Sequence, residues 1–203
     1  MISRRSLCLT ALGAATLLAG CDKLGFSSAS KPSFQGVDLT GAAYARGFSL
    51  PDQYGRTRSL DDFKGKVVVV FFGFTQCPDV CPTTLAELAQ VKKALGPDGD
   101  KVQGVFITVD PERDKPELLK AYLESFDPGF VALRGSPEQL KEVAKEFKVY
   151  YAKVPGKTPD SYTMDHTAAS FLFDPQGRVR VFSRYGAGTQ ALMGDIKALL
   201  AGQ

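Results

Sequence analysis

Val67-Val68-Val69-Val70-Phe71-Phe72-Gly73-Phe74-Thr75-Gln76-Cys77-Pro78-Asp79-Val80-Cys81-Pro82 is the stretch that decides how this chain is read. A run of Val and Phe with no polar alternation predicts a strand buried on both faces, of the kind found at the centre of a parallel sheet. Open α/β sheets place their chemistry at the carboxyl ends of such strands, and two thiols follow this one directly. Pro82 suits the first position of a helix and disfavours helical geometry at the residue before it. That places Cys81 at the N-cap of a helix running through Leu85, Leu88 and Val91. At the positive end of a helix dipole a thiolate is favoured over a thiol, so the pair reads as reactive or as metal ligands.

The remainder of the chain narrows the choice. With 203 residues, 44% hydrophobic and 23% charged, the composition is that of one ordinary globular domain. The net charge of +3 includes Arg4 and Arg5 of an N-terminal leader, so the mature chain is close to neutral, which argues against nucleic acid as a partner. Of the four cysteines, Cys8 and Cys21 fall in or beside the leader, leaving Cys77 and Cys81 as the only pair in the folded part. His166 is the single histidine, and there is no tryptophan.

Residues 1–20 combine a basic start with an apolar run from Leu7 to Ala19, the pattern of a secretory signal and too short for a transmembrane helix. Leu18-Ala19-Gly20-Cys21 resembles the lipobox of bacterial lipoproteins, in which the cysteine is acylated and becomes the new N-terminus. Multiple acyl chains, at about 0.8 kcal/mol per buried methylene, give stable anchoring. Asp22 resembles the signal for retention at the inner membrane. Ser3-Arg4-Arg5-Ser6-Leu7 looks somewhat like a twin-arginine signal, although paired arginines are common in ordinary leaders. The expected organisation is a lipoprotein signal over 1–20, a lipidated Cys21 with a polar, Ser-rich tether over 21–33, and one domain over 34–203.

Within that domain, Phe48-Leu50 and the residues up to Leu60 suggest a short hairpin turned at Gly55, covering one sheet edge. Gly96 to Asp100 reads as a loop and Val102 to Val109 as a second apolar strand. Asp114 and Pro116 are read as the cap and first position of a helix, and Ser136-Pro137-Glu138-Gln139 as the start of another. Phe130 to Leu133 and Val149 to Lys153 read as short strands. Lys153 to Asp165, with Pro155, Gly156 and Pro159, reads as a long functional loop that delivers His166 to the strand Ala168 to Phe173. Asp174-Pro175-Gln176-Gly177 turns that strand into Val179 to Ser183, and a helix from about Thr189 to Leu200 closes the chain. The expectation is a thioredoxin-like α/β fold: a mixed central β-sheet, helices on both faces and an N-terminal β-hairpin extension.

Three readings compete for the cysteines. A dithiol/disulfide couple is feasible, though thioredoxin-type reductases have two residues between their cysteines and this chain has three, Pro78, Asp79 and Val80. Those reductases also resemble one another in a cis proline where this chain has Asp165-His166-Thr167. With an imidazole there, facing the thiols across the sheet end, the pair becomes a possible three-ligand site. Two soft thiolates and one imidazole suit copper, while zinc accepts the same donors plus water. An incomplete, exposed site in an exported protein with no evident catalytic base favours copper. The third reading is a structural disulfide beside an unrelated surface histidine, but structural disulfides usually bridge distant segments.

Gly73 to Pro82, Thr108-Val109-Asp110-Pro111-Glu112-Arg113-Asp114 and Tyr162-Thr163-Met164-Asp165-His166-Thr167 together resemble the Sco/SenC family of membrane-tethered copper chaperones, from about Phe34 onward. The resemblance implies one copper ion per chain, Cu(I) or Cu(II), bound by Cys77, Cys81 and His166. It also implies delivery to the binuclear copper centre of cytochrome c oxidase subunit II, from the periplasmic face of the bacterial inner membrane. A second periplasmic copper chaperone or a thioredoxin-like reductant are further implied partners, and a thiol:disulfide oxidoreductase is the rival function. Met164 stands where the family commonly has valine. Asp79 is a candidate for tuning the thiols, and Asp165 for orienting His166 from behind, as metal-bound imidazoles usually require. Asp110 suits a turn near the site, and Lys153, Lys157, Arg178, Arg180 and Arg184 are candidates for a docking face toward an acidic partner.

Overall fold

The computed structural model describes residues 34–158 and 161–203, so the signal, Cys21 and the tether lie outside the described residues. The chain forms β1 (Val37–Asp38), β2 (Ser49–Pro51), β3 (Thr57–Ser59), β4 (Val67–Gly73), α1 (Val80–Ala94), β5 (Val102–Thr108) and α2 (Pro116–Glu124). It continues through β6 (Val131–Leu133), α3 (Pro137–Phe147), β7 (Tyr151–Pro155), β8 (Tyr162–His166), β9 (Ala169–Phe173), β10 (Val179–Arg184) and α4 (Thr189–Leu200). The apolar run is β4, and every one of its seven residues is buried.

Six strands form one sheet in the order β1-β10-β9-β4-β5-β6. β4 is parallel to β5, which is parallel to β6, while β9 runs antiparallel on the other side of β4 and begins the closing hairpin with β10. Strand alternation sends Phe71 and Phe72 to opposite faces. Phe72 meets Phe147 of α3 at 5.2 Å between ring centroids, whereas Phe71 packs on Phe106, which in turn meets Tyr122 of α2 at 6.0 Å. Gly104, whose register partner is Val69, lies against Leu88 of α1. Helices α1 and α2 thus cover one face and α3 the other, as the composition of β4 requires. The β2–β3 hairpin continues the sheet beyond β6: Gln53 donates to the Ala132 carbonyl (3.1 Å) and Arg134 to that of Pro51 (2.9 Å). Among the described residues no helix is long and apolar enough to cross a membrane.

Three local expectations are corrected. The long loop from Lys153 to Asp165 is a hairpin: β7 and β8 pair in register from Tyr151↔His166 to Pro155↔Tyr162, as a two-stranded sheet of their own. Its strands are polar because only part of one face packs on the body, with Met164 buried, and Pro155 ends β7. Asp114 does not cap α2. The N-cap is Lys115, and the Asp114 carboxylate is fully buried against Thr75 and Thr108. The residues after α1 form a 3₁₀ turn, Gly96–Lys101, where a loop was expected.

Candidate metal centre

The chain leaves β4 at Gly73 and turns so that the Cys77 amide donates to the Phe74 carbonyl at 3.2 Å. Asp114 fixes this turn from below, accepting from Thr75 Oγ1 and from Thr108 Oγ1 at 2.6 Å each. Burial pushes the Asp114 carboxyl up, against the lowering effect of those same bonds. Asp79 is the N-cap of α1, which puts Cys81 inside the first turn and not at the cap. The free first-turn amide of Cys81 donates to Cys77 Sγ at 3.4 Å. The helix terminus therefore serves Cys77, the half-buried thiol.

Cys81 is fully buried, and its thiol is pushed well above its ordinary value, first by that burial and then by the hydrogen bond with Cys77. The thiolate expected from the helix dipole is not the resting form. A dipole contributes about 0.3–1 kcal/mol, whereas full burial moves a pKa by up to about 3–5 units. Gly73 is what lets the sulfur in: a Cβ at that position would lie 2.8 Å from Cys81 Sγ.

His166 ends β8 and points Nε2 at Cys81 Sγ, 3.7 Å away, while Nδ1 lies 3.1 Å from the Thr167 carbonyl oxygen. A carbonyl can only accept, so Nδ1 carries the proton and Nε2 presents its lone pair to the sulfurs. Burial holds the imidazole below its ordinary value, keeping it neutral at pH 7. Phe71 and Phe74 enclose the ring edge-on, each with centroids 6.0 Å away. The Cys77, Cys81 and His166 ligand atoms all lie within 4.8 Å of one another. Three donors about 2.0–2.3 Å from a shared ion in trigonal geometry lie about 3.5–4.0 Å apart. Gathering these three around one ion therefore needs a closure of about 1 Å at most.

The other sequence candidates fall elsewhere. Asp79 is engaged by Thr83 Oγ1 (3.4 Å) and Tyr185 OH (3.3 Å) and is not in the donor cluster. Asp165 is exposed on the strand face opposite His166 and influences it only through its charge; the group that orients the ring is the Thr167 carbonyl. Adjacent strand residues point to opposite faces, which is why a neighbour in sequence was the wrong partner. Three of the basic residues are engaged within the chain: Arg178 and Arg180 both bind Asp174, and Lys153 binds Glu112. Sequence reasoning missed Gly73, Asp114 and the phenol of Tyr122, whose buried hydroxyl has no hydrogen-bond partner among the described residues. Only the glycine left a sequence signal, as the sole residue without a side chain at the end of an otherwise Val/Phe strand.

The profile of the SCO1/SenC family matches residues 37–201. The chain belongs to the SCO1/SenC family. Among curated family members, an SCO2-like protein of Rickettsia felis is 42% identical over 132 residues, covering 64% of each chain. The match thus spans less than two thirds of that relative's length. Among solved structures, ScoI of Bradyrhizobium japonicum, determined with copper bound, is 45% identical, with a TM-score of 0.68 over 76% of this chain and 98% of its own. A SCO1/SenC family lipoprotein from Bacillus anthracis is 29% identical with a TM-score of 0.64, over 78% of this chain and 98% of its own. BsSco, a Sco family cytochrome c oxidase assembly protein in which a disulfide switch was identified, is 26% identical with a TM-score of 0.59, over 79% and 95%. Together these relatives fix the fold as that of the thioredoxin-like Sco proteins.

Proposed function

We propose that this family member is a copper chaperone in which Cys77 Sγ, Cys81 Sγ and His166 Nε2 hold one copper ion as cargo. The observation that carries the reading is the meeting of two sulfurs and one unprotonated imidazole nitrogen within 4.8 Å, in a chain 45% identical to a protein solved with copper bound. Soft sulfur donors with one imidazole match copper, and Cu(I) accepts three-coordinate geometry. A three-ligand site leaves a position for an incoming donor, so a partner can take over ligands one at a time. On this reading the protein is a carrier and not a turnover enzyme. Its recipient is the binuclear copper centre of cytochrome c oxidase subunit II, in line with the assembly role named for BsSco. Cys21 carries the lipid and residues 21–33 the tether, which holds the domain at the periplasmic face of the inner membrane. The family member from Bacillus anthracis is a lipoprotein, which supports the lipid anchor.

The test is a copper titration of the reduced protein. One equivalent should bind, Cu(II) should give an intense thiolate charge-transfer absorption, and His166→Ala should remove both tight retention and oxidase assembly. A protein that binds no copper, or a His166→Ala variant with full assembly, overturns the reading. Replacing Cys21 by Ser should release the domain from the membrane fraction.

A second reading is favoured by the unequal cysteines: a half-buried Cys77 beside a buried Cys81 is the arrangement of an attacking and a resolving thiol. Cys77 would attack a partner disulfide, and Cys81 would then displace the partner's thiol, leaving Cys77–Cys81 oxidised and the partner reduced. Dithiol exchange that survives His166→Ala together with normal oxidase assembly would favour this reductase over the carrier.

A further inference from the structure

The β7–β8 hairpin shares no ladder with the six-stranded sheet among the described residues; backbone bonds of Thr167 and Ala168 hold its His166 end, and side chains tie down the start of β8. Arg113 reaches both halves of the site. Its Nη1 donates to the Gln76 side-chain carbonyl, beside Cys77, and to the Tyr162 backbone carbonyl at the start of β8, each at 2.9 Å. Its Nε binds one oxygen of Asp110, whose other oxygen accepts from Tyr162 OH at 2.9 Å. The guanidinium carbon lies 3.7 Å from the Tyr162 ring centroid, and Lys153 Nζ, itself bound to Glu112 at 2.7 Å, lies 4.4 Å from the same centroid. Phe74 stands between, 5.9 Å from the guanidinium and 6.0 Å from the His166 ring. Only 22% of the Arg113 side chain is exposed, where charge-assisted bonds and cation–π contacts keep their strength.

We propose that Arg113 is a positioning residue for the metal centre: by bridging Gln76 and the Tyr162 carbonyl, it holds the cysteine turn and the histidine strand in one fixed relation without being a ligand. The inference rests on the reading of Cys77, Cys81 and His166 as copper ligands. A lysine does not substitute, because its ammonium is a point donor and lacks the planar fork that reaches Asp110, Gln76 and Tyr162 together. An arginine that merely stabilised the fold would act equally whether or not His166 is present, and that difference defines the test.

Copper(II) affinity is measured on the detergent-extracted full chain for wild type, Arg113→Ala, Arg113→Lys, His166→Ala and the two double variants. Partners behind metal ligands typically contribute about 10–100-fold in affinity. Arg113→Ala and Arg113→Lys should each show a loss in that range when His166 is present, and little further loss when it is already alanine. The thiolate–copper absorption of Arg113→Lys should move toward that of His166→Ala. Equal losses in both backgrounds, or no loss, overturn the proposal, and the lysine variant carries the test if the alanine variant does not fold. A wild-type chain that takes up no copper is a separate failure, of the ligand reading itself. In that event amide exchange on the metal-free protein still tests the bridge: exchange in β8 should quicken in Arg113→Lys with β4 unchanged, and unchanged exchange in β8 overturns it.

Discussion

Gly73→Ala is the smallest substitution that reaches the metal centre. Its added methyl would lie 2.8 Å from Cys81 Sγ, 2.8 Å from Phe106 Cε2 and 2.9 Å from Phe71 Cε1. None of these atoms is the free end of a flexible exposed chain: Cys81 is 0% exposed, Phe106 1% and Phe71 3%. Gly73 is not among the glycines with positive φ, so the cost is steric and not conformational. Overpacking a filled core costs about 1–3 kcal/mol, and three simultaneous contacts place this change in the upper half, about 2–3 kcal/mol. At about 2–4 °C per kcal/mol for a chain of this size, the midpoint should fall by about 4–12 °C. Urea unfolding followed by circular dichroism reads the stability, and a copper titration reads the displaced sulfur. Removing the sulfur supplies an internal control. In a Cys81→Ala background one of the three contacts disappears, and the penalty of Gly73→Ala should shrink by about 0.5–1 kcal/mol through direct coupling. If Gly73→Ala unfolds within about 0.5 kcal/mol of wild type and binds copper as tightly, close packing at Gly73 does not set the position of Cys81.

The remaining predictions concern charge and burial. The folded state keeps the Cys81 proton above the ordinary thiol value of 9.0, while the unfolded chain releases it there. The native state then binds more protons, so stability of the reduced, metal-free protein should fall as pH rises above about 9, by up to about 1.4 kcal/mol per unit. Denaturant titrations between pH 8 and 10 read this slope, and Cys81→Ser should abolish it. In the same protein iodoacetamide should modify the half-buried Cys77 before the buried Cys81, with peptide mass analysis as the readout; equal labelling would contradict the burial argument. Asp114→Ala strips the acceptor from Thr75 and Thr108 and should cost at least about 1–3 kcal/mol in urea unfolding. Asp165→Ala, which removes an exposed carboxylate that makes no bond to His166, should leave copper affinity within about twofold of wild type; a large loss would restore it as the orienting group.

The sequence was legible where local and global requirements coincide. β4 is apolar because both its faces are covered, and the turn and helix after it follow from Gly, Pro and polar residues at fixed offsets, so the position of the cysteines could be read directly. The meeting with His166 followed from the order of elements, although the segment before it is a hairpin and not a loop. There the alternation of Val154, Met164 and Tyr162 is too weak to reveal strands that bury only part of one face. The ionisation of Cys81 could not be read from its neighbours in sequence, because the burial that decides it comes from Phe71, Phe106 and the bare Cα of Gly73. Asp114 was assigned by a local rule for helix starts, while its partners, Thr75 and Thr108, lie at the ends of other segments.

The asymmetry between the two thiols constrains any exchange at this site, whether of copper or of electrons. Cys77 is partly accessible and receives a free first-turn amide of α1, that of Cys81, so an approaching ligand or disulfide can reach its sulfur while the helix terminus steadies the negative charge that develops there. Cys81 Sγ is buried and faces His166 Nε2 at 3.7 Å, so no partner touches it until Cys77 has been engaged or the hairpin has moved. Because Nδ1 is held by the Thr167 carbonyl, Nε2, 3.7 Å from the sulfur, is free to accept the proton that Cys81 must release to become a ligand or a resolving thiolate. A partner therefore meets Cys77 first under either function, and the buried Cys81 sulfur completes the exchange only afterwards, with His166 required where the cargo is copper.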